Sequence, residues 1–281
     1  MLLGLSTLNH HHAFAHGGDA HHGRGMDLFG FMEMASDLDV HGIRIAPGHL
    51  AAHDDEYLDA LREEAAERRL FLEISIAGVA TPDLERGLYV CRKLGCNLLS
   101  TRLGFDRFAR SVDVTAEIDT ADRMIRPLLR MFEDADVKLA IENGGELKSS
   151  ELVALVESLG STHAGIGMDV ANSLLVLEDP VDAAERMIPF AISVTLRDLA
   201  VVQMPFGCRL TGTPLGEGVV PLRELFYTIR EQGTVERAII ESPLDVAAGD
   251  RKGVEREVTA IQNSVAFCRT MPGIGAAEIP L

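Results

Sequence analysis

The feature that most constrains this chain is an eightfold alternation of short apolar runs with amphipathic segments, repeating at roughly 30-residue intervals. The runs end or centre on Leu2–Ser6, His41–Ile45, Leu70–Ile76, Asn97–Arg102, Val137–Asn143, Gly165–Val170, Phe190–Leu196 and Ala238–Glu241. Strands separated by helices pair in parallel, and eight such units close into a single (β/α)8 TIM barrel, for which 281 residues is an ordinary size. A doubly wound sheet is the runner-up. The count of eight and the lack of a glycine-rich turn after the first run weigh against it. Capping residues mark the helices: Asp54 and Asp55 before one, Thr81-Pro82 opening another, Gly160 closing a third. Pro127 is expected to kink or split the helix over Val114–Asp134. Arg209–Val219 reads as a long glycine-rich loop, and Val254–Cys268 as a helix burying Val254, Val258, Ile261 and Val265. No linker-like stretch interrupts the alternation, so residues 1–270 form one barrel domain and 271–281 a Pro/Gly tail.

Charge narrows the partners. Asp and Glu number 43 against 26 Lys and Arg, a net charge of −17. Such a chain is poorly matched to a phosphate backbone or an anionic membrane surface, which attract Lys and Arg. A small-molecule substrate is expected, with no nucleic acid, no membrane and a possible homo-oligomer. Cys91, Cys96, Cys208 and Cys268 show neither a CxxC pair nor zinc-ligand spacing, and read as reduced, mostly buried thiols of a cytoplasmic protein. Met1–Leu8 lacks the charged start and cleavage site of a signal peptide, and no apolar run reaches membrane-spanning length.

Three of the runs deliver a carboxylate at the same end: Glu142 in LAIENGG, Asp169 in GMDV and Glu241 in AIIE. Barrel enzymes work at the C-terminal ends of their strands, and crowded carboxylates repel unless a cation lies among them. Oxygen-rich sets suit Mn2+ or Mg2+. His49 follows the second run, and Glu73 lies within the third. The segment Thr7–Arg24 holds His10, His11, His12, His16, His21 and His22. It is either a solvated polar loop or a cover that lends an imidazole, His10 for example, to substrate or metal. Gly216-Glu217-Gly218 before a helix is a weak candidate for a phosphate cradle.

The ordered set LAIENGG, GMDVANSL, SVTLRD, PLGEGVVPL and AIIES resembles the xylose-isomerase-like barrel superfamily of sugar (phosphate) isomerases and epimerases. The resemblance implies a Mn2+, Co2+ or Mg2+ ion held by Glu, Asp, His and Glu, of which Glu142, Asp169 and Glu241 match three. Thr195 stands where the superfamily places the histidine. It also implies that Glu142 and Glu241 form the acid/base pair, with Asn143, Asn172, Arg102 and Arg197 as contacts to sugar hydroxyls or carboxylate. The expected activity is isomerisation or epimerisation of a small keto-sugar through an enediolate. Its alternatives are a lyase, dehydratase or decarboxylase, of an oxidised sugar acid, and a non-catalytic barrel with a degraded metal site. The DNA-repair endonucleases of the same superfamily need more histidine ligands and a basic groove, and this chain is acidic.

Overall fold

The computed structural model describes residues 1–14, 25–245 and 252–274. His16, His21 and His22, like most of the tail, lie outside the described residues. Eight parallel strands form the expected closed barrel: β1 Leu2–Ser6, β2 Gly42–Ile45, β3 Phe71–Ser75, β4 Leu98–Thr101, β5 Lys138–Glu142, β6 Ala164–Asp169, β7 Ala191–Leu196 and, last in the chain, β10 Arg237–Ile240. Round the barrel β1 is followed by β10, β7, β6, β5, β4, β3 and β2.

The helices between them begin and end where local chemistry dictates. Asp27 accepts the Gly30 N–H at the start of α1 (Leu28–Asp37), and Asp54 that of Tyr57 at the start of α2 (Asp55–Glu67). Pro82 lies in the first turn of α3 (Thr81–Leu94), where its missing N–H costs no bond. Pro127 splits its helix as expected: α4 (Val114–Ile125) and α5 (Leu129–Ala135) flank a short 3-10 turn. Gly160, at φ +63°, closes α6 (Ser149–Leu159) in the left-handed conformation that a β-carbon disfavours. Pro180 opens α7 (Pro180–Met187).

Two expectations are corrected. The supposed loop after the seventh barrel strand starts as an antiparallel ribbon of β8 (Asp198–Met204) and β9 (Gly207–Thr213), followed by α8 (Leu222–Gln232). From Val201 to Cys208 the ribbon is exposed on both faces, so it carries no alternation of buried and solvated residues from which a strand is read. The last helix, α9 (Gly253–Arg269), buries Ile261 and Val265 as expected but leaves Val258 half-buried. It buries Gly253, Glu257, Ala260, Ile261, Ser264, Val265 and Cys268, while Val254 is exposed.

Contacts gather the chain into two compact units: Met1–Leu72, Leu196–Arg223 and Glu236–Leu281 in the first, Glu73–Thr195 and Glu224–Val235 in the second. In the first, register aligns Gly4 with Gly42 and Ile239, and Ser6 with Arg44. Leu3, Leu5, Ile43, Ile45, Ala238 and Ile240 occupy the alternate positions and are buried. Phe71 explains the glycines: a β-carbon at Gly4 would stand 2.8 Å from its ring, and one at Gly42 within 2.4 Å. The Arg237 guanidinium lies 4.7 Å from the centroid of that ring. In the second unit Ser75, Ser100, Ala140 and Gly165 align, and Glu142 faces Gly167. One strand face is small and polar there, and the other carries Ile74, Leu99, Leu139, Ile141, Ile166 and Met168.

No helix among the described residues is long and apolar enough to cross a membrane. Cys91, Cys96 and Cys268 are buried and Cys208, on the ribbon, is exposed. Burial pushes the Cys268 thiol up to about 12. An aromatic disulfide reagent at pH 8 is therefore expected to titrate one thiol per chain rapidly, and the other three only after denaturation. Two or more rapid equivalents from the native protein would contradict this burial.

Candidate active site

In the second unit the site grows from the ends of β5 and β6. Glu142 is the last residue of β5, and a β-carbon at Gly167 on β6 would lie 2.9 Å from the Glu142 Cγ. Glycine is therefore what leaves this carboxylate its course over the neighbouring strand. Asp169, the last residue of β6, is 3% exposed. The carboxamide of the next residue after Glu142 fixes it in place. Asn143 Nδ2 donates to the Asp169 carbonyl at 2.8 Å, and Asn143 Oδ1 accepts the Asp169 N–H at 2.7 Å. Asn143, expected to touch substrate, thus commits both ends of its amide to the backbone of an acid. The Asp169 Oδ1 accepts the N–H groups of Ala171 at 3.0 Å and Asn172 at 3.3 Å. Thr195 is buried and stands level with Asp169, and its carbonyl accepts the Val170 N–H. Arg102 is exposed and Asn172 half-buried.

The first unit repeats the device. Asn9, just past β1, donates to the Ile240 carbonyl at 2.7 Å and accepts the Ser242 N–H at 2.7 Å. Glu241 is the residue between those two backbone groups. Its Oε1 receives the Arg197 guanidinium at 2.6 Å. Burial would raise the Glu241 pKa, but Arg197 and then Arg44, with hydrogen bonds from Ser6 and Arg197, outweigh it and hold the carboxyl below its ordinary value. Arg44, on β2, is 1% exposed. His49 is turned away from solvent, its ring stacked 4.3 Å from Phe14 and its Nδ1 2.8 Å from Thr7 Oγ1. His10 is 1% exposed, its Nδ1 3.1 Å from Glu257 Oε2 on α9.

The strand-end acids and parallel barrel now meet a family pattern. Residues 32–271 match the family described as xylose isomerase-like TIM barrel. The chain belongs to that family. It is 26% identical over 186 residues to 3-oxo-isoapionate decarboxylase of Pectobacterium atrosepticum, a match covering 66% of each chain. Among solved structures it resembles a D-psicose 3-epimerase determined in the presence of D-fructose, with TM-score 0.74, 17% identity and coverage of 97% of this chain and 100% of that one. It also resembles the IOLI protein with a bound zinc atom, with TM-score 0.72, 12% identity and coverage of 95% and 97%. At these identities the two structures establish likeness of fold.

In this xylose isomerase-like barrel, the Gly216–Gly218 segment is not a vacant phosphate cradle. Asp198, fully buried, fills that role with its own carboxylate. Its Oδ1 accepts the N–H groups of Leu199 at 2.9 Å and Val220 at 3.1 Å, and its Oδ2 those of Gly216 and Gly218, both at 2.9 Å. A β-carbon at Gly218 would come within 2.1 Å of Asp198 Oδ1. Asp198 and Asn9 have no motif in the sequence that marks these roles. A charged residue inside the apolar strand GIRI was the available signal for Arg44.

Asp198→Ala is expected to leave four N–H groups without their acceptor and to lower stability by about 3 kcal/mol or more. Urea unfolding checks this, and a loss below about 1 kcal/mol would contradict the role. Asn143→Ala should cost about 2–3 kcal/mol, because the Asp169 N–H and carbonyl lose their buried partner. The same unfolding measurement decides it.

Proposed function

We propose that this protein decarboxylates a small keto sugar acid through an enediolate, with a divalent ion as cofactor. The observation that carries the proposal is the pairing of Glu241 with Arg197, with Arg44 acting on the same carboxylate. Two guanidinium groups drawn to one strand end suit a substrate that brings a carboxylate of its own. They also weaken Glu241 as a base. An epimerase needs a group at each face to take a proton from carbon and return it, and a carboxylate stabilised by guanidinium is poorly matched to that task.

Decarboxylation makes no such demand. The bond between the α-carbon and the substrate carboxylate breaks, CO2 leaves, and the electron pair passes into the neighbouring carbonyl to give the enediolate. One proton then returns to the carbon. Glu142, half-buried at the end of β5, is assigned that proton, and Arg197 and Arg44 orient the departing carboxylate. The name of the decarboxylase relative supports the same choice.

The donor chemistry supports an ion. Glu142 and Asp169 end adjacent strands of one unit, and oxygen donors of this kind suit Mn2+ or Mg2+, with Co2+ as a further candidate. These two would hold it, with Glu241 the third carboxylate that the family resemblance implies. The three do not bring their ligand atoms within 4.8 Å of one another in this structure, so the carboxylates would have to close on the ion. When bound, the ion would polarise the carbonyl and adjacent hydroxyl of the substrate. Thr195 adds at most a hydroxyl, a weaker donor than imidazole. Binding looser than in a four-ligand site follows, and Thr195→His should tighten Mn2+ binding in equilibrium dialysis.

A second reading, isomerisation or epimerisation of a keto-sugar, is favoured by the presence of Glu142 and Glu241 at two strand ends. The deciding experiment is a screen of keto-sugars and keto sugar acids with added Mn2+, following CO2 and isomer ratio together. CO2 release is expected from an acid substrate. Glu142→Gln should slow it by about 100-fold or more, and Arg197→Ala should lower kcat/KM for acid substrates by about 100-fold through loss of a charged contact. Isomer interconversion without CO2 would replace the proposal with the second reading, and neither product from any substrate would leave a non-catalytic barrel.

A further inference from the structure

Away from the strand-end acids, a separate cluster gathers where the chain leaves β1. The 3-10 turn Thr7–His10 brings His10, His11 and His12 against α9, and α9 turns the buried Glu257 toward them. Glu257 Oε1 lies 3.2 Å from His11 Nδ1 and accepts the His12 backbone N–H at 3.3 Å. The same His11 Nδ1 is 3.1 Å from the Leu8 carbonyl. Among the described residues, His11, His12 and Glu257 are the group of three whose ligand atoms all lie within 4.8 Å of one another.

Hydrogen bonding leaves part of the cluster unsatisfied. Glu257 is 0% exposed and His10 is 1% exposed. Glu257 Oε2 and His10 Nδ1 are 3.1 Å apart, yet neither has the alignment of a hydrogen bond. A buried carboxylate oxygen in that state costs free energy. The rings of His11 and His12 lie 3.9 Å apart beside that carboxylate. Two imidazoles and a carboxylate make a ligand set.

We propose that His11, His12 and Glu257 bind one divalent ion of the zinc class, with His10 beside the second oxygen of Glu257. Zinc–ligand bonds of about 2.0–2.1 Å in a tetrahedron separate neighbouring donor atoms by about 3.4 Å. The ligand atoms offered by His11, His12 and Glu257 lie within 4.8 Å of one another, so small side-chain shifts would bring them to that edge. Imidazole nitrogens favour zinc over Mg2+ or Mn2+, which separates this site chemically from the all-carboxylate set at the strand ends. Three protein ligands leave a fourth position for water, and the exposed His12 places that position toward solvent. Since the ligands come from the exit of β1 and from α9, the ion would fasten the last helix to the first strand and stabilise the folded chain by mass action.

The test uses the full chain, stripped with a chelator and dialysed against Zn2+ alone, with zinc per chain measured by atomic emission and thermal unfolding followed in parallel. Two site variants, His12→Ala and Glu257→Gln, are compared with two controls. Asp169→Asn addresses the strand-end acids, and His16→Ala, His21→Ala and His22→Ala together address the remaining histidines of the loop. The expected result is one zinc equivalent that both site variants lose or bind roughly ten-fold or more weakly, with the zinc-induced rise in Tm. Both controls should keep it. Because Asp169 belongs to the strand-end set, loss of CO2 release in Asp169→Asn with this zinc retained tells the two proposals apart. The site is overturned if His12→Ala, an exposed position that should not disturb folding, binds zinc with unchanged stoichiometry and Kd. It is equally overturned if the equivalent disappears in the triple-histidine control. Should Glu257→Gln unfold, His12→Ala decides alone.

Discussion

A parallel strand that stops at the rim of a barrel leaves backbone N–H and carbonyl groups with no further strand to bond, and this chain meets that constraint with buried side-chain amides and carboxylates. Asn143 takes both backbone groups of Asp169, and Asn9 takes the groups on either side of Glu241. Asp198 gathers four N–H groups, that of its neighbour Leu199 and three from the segment that follows the ribbon. A buried polar group without a partner costs about 1–3 kcal/mol, so these bonds hold the loop backbone as firmly as a ladder holds a strand. The backbone at these acids is thereby held by neighbouring buried amides.

Electrostatics then separates acids that look alike in sequence. Asp169 is turned toward the N–H groups of the turn that follows it, whereas Glu241 faces guanidinium groups. Glu257 belongs to a third environment, enclosed with imidazoles on a helix far along the chain. The net charge of −17 gives no hint of this, because it counts acids without regard to what each one faces. Arginine inside a strand is the counterpart: Arg44 is almost wholly buried, and a buried guanidinium requires acceptors placed for it.

Glycine serves the same end by absence. Gly167 leaves a course for Glu142, Gly218 lets the backbone close on Asp198, and Gly4 with Gly42 admits the ring of Phe71. Each is a place where another group occupies the space a β-carbon would need. None of the four adopts the left-handed conformation.

The sequence by itself determined the architecture. Alternating apolar strands and capped helices state their own period and boundaries, because burial of one face or both is a local pattern. Pro127 divided its helix and Gly160 closed another for reasons contained within a few residues. The positions of Glu142, Asp169 and Glu241 at strand ends were legible for the same reason. What they face was not, since Asn9 reaches residues more than two hundred positions away, and Arg197 meets Glu241 across 44. The exposed ribbon escaped notice because a strand with no buried face has no alternation to read. The inward turn of Glu257 was not legible because an acid beside Val258, Ile261 and Val265 reads as a solvated position, and its burial depends on packing against the exit of β1. Local patterning fixes elements and their order; which charges meet depends on distant segments brought together, and that information exists only once the chain has folded.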